Sequence, residues 1–132
     1  MDTCVLISAF AFGGVPEKAV KKILNSSEIY VSPELLIEYR GVPLSLEAEG
    51  KIDRKQFRAL ISGIAAIVSK AKIVHPVKRI SICRDPEDNM LLECCKTAGA
   101  DYLITGDNDL LDIAGLVFDF GIVTPGEFIK TK

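Results

Sequence analysis

The sequence predicts one α/β domain built around a parallel sheet, and three observations lead there. Segments with helical spacing of apolar residues alternate with short strand-like runs, the pattern of successive βαβ units. One run, 101–105 (DYLIT), has almost no polar interior, as expected of a strand buried on both faces. The length, 132 residues, suits a single domain that needs neither disulfide nor metal to fold.

Taken in order, residues 16–25 read as a helix. Val20, Ile23 and Leu24 share a face, Pro16 suits the first turn, and Asn25 suits a cap. Residues 28–31 (EIYV) are a short strand. Ser32 and Pro33 start a second helix as N-cap and first helical residue. Asp53, with Gln56 three residues on, opens a long helix that runs to about Lys70. Residues 71–77 form the next strand, and 85–88 (DPED) open a helix that ends near Ala98 and Gly99. After DYLIT, 108–114 form a short helix, 116–123 a last strand and 125–129 a last helical turn. Asp2 to Leu6 has no strand in front of it and is assigned to no element.

Hydrophobic residues make up 48% and aromatic ones 7%, so the core is aliphatic. The net charge of −2 supplies no global basic field for nucleic acid. Lys18, Lys21 and Lys22 gather on the first helix, as a patch for phosphates or as a solvated face. Cys4, Cys83, Cys94 and Cys95 show no CxxC spacing, and His75 has no partner at zinc-site spacing. Buried, reduced thiols and an ordinary strand histidine are expected. No apolar run approaches the ~18 residues of a membrane span, and no basic segment follows Met1. The expectation is a soluble cytoplasmic protein with no membrane partner.

Several acids fall just after strand-like runs or in first helical turns, positions that gather at the carboxyl edge of a parallel sheet. Asp107 and Asp109 follow DYLIT, Asp88 opens a helix, and Glu38 lies inside the helix after EIYV. Converging carboxylates repel and raise one another's pKa unless a cation neutralises them. All-oxygen ligands suit Mg²⁺ or Mn²⁺. Each acid also has a structural reading. Asp88, three residues after Asp85, can complete a capping arrangement and favour the helix dipole, Asp107 can serve as a helix cap, Asp109 as a first-turn acid, and Glu38 as a side chain flanked by Leu35 and Val42.

Five segments together resemble the PIN domain family. They are DTCVLIS (2–8), SPELLIE (32–38), RDPEDN (84–89), GADYLITGDNDLL (99–111) and TPGEF (124–128). The order and spacing are similar to the branch described as toxins of toxin–antitoxin systems, related to VapC-type toxins. The resemblance covers nearly the whole chain, and GADYLITGDNDLL is its most specific part. It implies a three-layer α/β/α fold with a mostly parallel central sheet, one domain over residues 1–132. It also implies Mg²⁺- or Mn²⁺-dependent hydrolysis of phosphodiester bonds in single-stranded RNA. By motif, Asp2, Glu38, Asp88 and Asp107 are the catalytic, metal-binding acids, with Asp109 an accessory metal ligand. Thr3 and Thr105 match residues that support the site. Expected partners are RNA, a second copy of the chain and a small antitoxin protein.

Two departures stand out. Cys4 occupies the position where the family has Asn, so the amide near Asp2 is lost. The strand that precedes the first acid in the family is missing, and the natural chain is expected to begin several residues upstream. If the chain does begin at Met1, Asp2 is expected to be tethered on one side only and catalysis to be weak. Both departures favour an alternative, a catalytically impaired PIN-like module that binds RNA or a protein partner. A receiver-like phosphotransfer domain is a weaker rival, since no phosphorylatable Asp pairs with a suitably placed Lys.

Overall fold

The computed structural model describes residues 1–114 and 119–131. It opens on a helix that the sequence reading left unassigned, α1 (Thr3–Ile7), which continues into a π-helical turn, Ser8–Phe12. Asp2 is the cap, accepting from the Cys4 N–H at 3.3 Å. Gly13 and Gly14 then take φ of 82° and 76°, backbone that residues with a Cβ rarely adopt. They let the chain turn by 108° into α2 (Val15–Ser26).

Strand β1 (Ile29–Val31) leads to Ser32, whose hydroxyl accepts from the Leu35 N–H at 3.2 Å and starts α3 (Pro33–Ala48). Asp53 and Gln56 form the expected capping box of α4 (Arg54–Lys70). Strand β2 covers only Ala71–Ile73 and pairs in parallel with β1, Tyr30 opposite Lys72. The expected extension to 77 is absent. The chain leaves the sheet, and exposed His75 is therefore a loop residue. Buried Glu93 holds this loop, accepting from the Ile80 N–H at 2.8 Å and from Arg79 at 3.3 Å. Asn89 accepts from the N–H groups of Ile82 and Cys83.

Helix α5 (Pro86–Ala98) ends at Gly99 and feeds β3 (Tyr102–Ile104). A short α6 (Asn108–Leu111) follows, then β4 (Gly121–Val123) and α7 (Pro125–Ile129). Residues 116–118 of the expected last strand lie outside the described residues. β4 pairs in parallel with β3, Leu103 opposite Ile122.

The fold is α/β/α with parallel strands, as the sequence predicts, but the sheet is split. Among the described residues, β1–β2 and β3–β4 are separate two-stranded sheets. Helix α5 packs on β1 and β3, and so bridges the two. Tyr102 is 41% exposed, so β3 is not buried on both faces along its whole length, and among the described residues no strand pairs with its other edge. The core is aliphatic, with Leu6, Val20, Leu35, Leu60, Ile67, Leu92, Leu103 and Leu110 essentially inaccessible. Each such side chain contributes roughly 1.5–3 kcal/mol by leaving water. Cys94 and Cys95 are buried as expected, and Cys83 is half-buried, but Cys4 is exposed.

Lys22 does not belong to a solvated basic patch. Its ammonium donates to the carbonyls of Phe128 (2.9 Å) and Thr131 (2.5 Å) and lies 4.8 Å from the centre of the Phe128 ring. It fastens α2 to the end of α7, where a cation favours the helix dipole. Lys21 pairs with Glu17 at 3.0 Å. No single helix among the described residues is long and apolar enough to cross a membrane.

Gly63 on α4 faces the Phe10 ring so closely that a Cβ there would overlap it. Gly63→Ala is therefore expected to destabilise the fold by about 1–3 kcal/mol. Denaturant midpoints measure this, and the Phe10→Leu background should recover part of the loss.

Candidate active site

The site is assembled from the first residues of the chain and the carboxyl ends of β1 and β3. The Asp2 N–H donates to the Ile104 carbonyl at 3.0 Å, and the Tyr39 hydroxyl donates to the Met1 carbonyl at 2.5 Å. The Thr105 hydroxyl donates to Asp2 Oδ2 at 2.6 Å. Asp2 is thus a buried carboxylate gripped by its backbone, its cap bond and Thr105. The expectation of tethering on one side only is corrected.

Thr105, fully buried, also accepts from the Asp107 N–H at 3.0 Å. One hydroxyl therefore fixes the spacing between Asp2 and the start of α6. Asp107 caps α6 by accepting from the Asp109 N–H at 2.9 Å, so the capping reading holds for this residue. At α5 the cap is Asp85, which accepts from the Glu87 N–H at 3.0 Å. Asp88 lies in the first turn behind that cap, where its charge favours the helix dipole.

On the other side, the Thr3 hydroxyl donates to Glu38 Oε2 at 2.6 Å, joining α1 to α3. Burial pushes the Glu38 carboxyl up, the Thr3 bond opposes this, and the charges of Asp2, Glu87 and Asp85 add to the rise. Asp88 is pushed up to about 7, first by burial and then by Asp107, Asp85 and Asp2. Cys4 stands at the mouth of the cluster. The residue is exposed, but partial burial of its thiol, then the fields of Asp2, Glu38, Asp107 and Asp88, hold its pKa up. That thiol stays protonated and is no nucleophile at neutral pH.

Glu38 and Asp88 thus both feel the charge of Asp2, Asp88 feels that of Asp107 as well, and all four motif acids act on the Cys4 thiol. The sequence profile of the PIN domain family matches residues 1–109. This chain belongs to the PIN domain family. The PIN domain also resembles an uncharacterized protein of Methanocaldococcus jannaschii, at 29% identity over 115 residues, 86% of this chain and 72% of that one. No solved structure matches it. Membership carries a nuclease-type, hydrolytic function, and such nucleases typically use divalent metals.

The donors here fit such an ion in kind, being carboxylate oxygens, and a cation would relieve the Asp88–Asp107 repulsion. Among the described residues, however, no three His, Cys, Asp or Glu side chains stand close enough to form a ready metal site.

Sequence reasoning missed Glu93 and Asn89, which hold the loop leading to Asp85 and Asp88, and Tyr39, which anchors Met1. A signal existed for Glu93, an acid enclosed by Leu91, Leu92, Cys94 and Cys95.

The raised pKa of Asp88 has a stability consequence. An unfolded Asp titrates near 3.9, and folded Asp88 near 7. Between those values the folded chain holds the extra proton, so metal-free stability falls as pH rises from about 4 to about 7 and then levels. Asp88→Asn should remove this part of the fall. Thermal unfolding of both proteins in EDTA at pH 5 and pH 8 measures it. An equal drop in the two would contradict the assignment.

Proposed function

We propose that this PIN domain is a metal-dependent endoribonuclease that hydrolyses phosphodiester bonds in single-stranded RNA. The observation that carries the proposal is the hydrogen-bonded frame that brings the motif acids together, Thr105 joining Asp2 to the Asp107 backbone and Thr3 joining α1 to Glu38. Asp2, Asp88 and Asp107 would hold Mg²⁺ or Mn²⁺, with Glu38 as a further ligand directly or through water and Asp109 as an accessory one. The ion supplies charge neutralisation at the scissile phosphate and an activated water.

The chain's own groups prepare that chemistry. Thr105 fixes Asp2 and the Asp107 backbone, while Thr3 fixes Glu38. Asp88 must shed its proton before it can serve a cation, so cleavage should rise with pH through the neutral range.

In the same reading, the chain is the toxin of a toxin–antitoxin pair, with a small antitoxin and a second copy of itself as partners. Ile37 (73% exposed) and Leu44 (56%) on α3 offer apolar surface that such partners would cover. A second reading, a catalytically impaired module that binds RNA or protein, is favoured by the split sheet beside Asp2 and by Cys4 at the site's mouth.

A panel of labelled single-stranded RNAs separates the two. The nuclease reading predicts cleavage with Mn²⁺ or Mg²⁺, none with EDTA, and a loss of about a hundredfold or more in Asp107→Asn and Asp88→Asn. Undiminished cleavage by both variants would refute this site. No cleavage by folded wild-type protein favours the impaired module.

A further inference from the structure

The loop between β2 and α5 carries a charge opposite to that of the rest of the chain. Residues 78–84 (KRISICR) include Lys78, Arg79 and Arg84 and no acid. With a net charge of −2 on the whole chain, this leaves −5 on the remainder. The three cations are exposed, whereas Ile80 and Cys83 between them turn partly inward. Elsewhere Lys21, Lys51, Arg54 and Lys72 each pair with an acid. Among the described residues, the side chains of Lys78 and Arg84 make no ion pair or hydrogen bond.

The loop is fixed against the helix that carries Asp88. Asn89, the next residue, accepts from the Ile82 and Cys83 N–H groups at 3.1 and 2.9 Å. One turn further along α5, buried Glu93 accepts from the Ile80 N–H at 2.8 Å and from an Arg79 Nη at 3.3 Å. The loop therefore runs antiparallel to the start of α5, and Arg84 ends it directly before the cap residue Asp85. Glu93 orients the Arg79 guanidinium, whose fork has five donors and so reaches a second anion as well. The acids are also felt in the loop: burial, then Asp88, Asp107 and Asp109, push the Cys83 thiol up.

We propose that this loop is a phosphate ledge, on which Lys78, Arg79 and Arg84 hold the backbone of a single-stranded nucleic acid beside the acid cluster. A cluster of acids by itself repels a phosphodiester. Cations set next to it attract the phosphates of neighbouring nucleotides and offset that repulsion. Arginine meets a phosphate with two parallel donors, and lysine adds a point charge on a flexible stem. Such contacts set where the strand lies and carry no sequence preference of their own. A flexible single strand follows the bent course of the loop, as its backbone does in a basic groove. The ledge deepens the nuclease reading and rests on it for the strand's position, but its binding is measured without cleavage.

The test is the anisotropy of a short fluorescein-labelled single-stranded RNA, titrated with the 132-residue chain in EDTA at about 50–200 mM salt. Single-stranded DNA of the same sequence and a labelled oligo-glutamate peptide are the parallel probes. Lys78→Gln/Arg84→Gln is compared with Lys55→Gln/Arg58→Gln, which removes two exposed cations of α4, and circular dichroism confirms the fold of each. The proposal predicts saturable RNA binding that is about 10–30-fold weaker in the loop variant near 0.1 M salt. The salt slope should fall by about 1.4, since each phosphate contact on a single strand contributes roughly 0.7. The α4 variant should bind as the wild type does. DNA binding equal to RNA binding supports the backbone as the ligand, and tighter RNA binding supports it with RNA as the source. Undiminished binding by the loop variant, equal losses in both variants, peptide binding as tight as that of RNA, or no RNA binding by the folded wild type would each overturn the ledge. Weaker binding in the loop variant with no Mn²⁺-dependent cleavage by the wild type would keep the ledge and count against the nuclease reading. Cleavage by a wild type whose binding the loop variant does not weaken would do the reverse.

Discussion

The backbone bond from the Asp2 N–H to the Ile104 carbonyl, with the Thr105 hydroxyl on the Asp2 carboxylate, ties the start of the chain to the end of β3. The rest of the site depends on that tie. It sets where α1 begins, because Asp2 caps it, and α1 in turn carries Thr3 to Glu38 on α3. Through the second bond of Thr105 it also sets where Asp107 enters α6. A hydroxyl suits this position because it can donate to a carboxylate and accept from an amide at once. Buried without such partners, the Asp2 carboxylate would carry a large desolvation penalty.

Around this anchor the fold holds acids that repel one another. Burial first, and then the charge of neighbouring acids, pushes Asp88 and Glu38 up from the ordinary carboxylate range and does the same to the Cys4 thiol. Hydrogen bonds from Thr3 and Thr105 and the loop bonds of Glu93 and Asn89 keep the carriers of these charges in place. Structures that concentrate like charge in this way are suited to a cation or to the charge of a transition state.

Much of this was legible in the sequence because it rests on local chemistry. Ser32, Asp53 with Gln56, and Asp107 are caps, and each starts its helix where the side chain predicts. Asp107 was readable because it follows a strand and Asp88 because it opens a helix, whereas Asp2 was legible only through the resemblance to the family. What escaped reading depends on contacts distant in the chain. Helix α1 is an apolar run without clear periodicity, and what fixes it is Asp2 beside Ile104 and Thr105. Strand β2 stops at Ile73 because Glu93, from a later helix, draws the following loop away. Lys22 looked like a surface charge because its partners, the last carbonyls of the chain, lie more than a hundred residues on.

The most direct test of this account is a calorimetric titration of Mn²⁺ into the wild-type chain and into Thr105→Val, with circular dichroism to confirm that both are folded. Valine keeps the size of threonine but releases Asp2 and the Asp107 N–H. If the Thr105 clamp sets the acid cluster, Mn²⁺ should bind the variant about 10–100-fold more weakly, the usual cost of losing an outer-shell partner. Equal affinity in two folded proteins would contradict the account and leave the Asp2–Thr105 bond as packing alone.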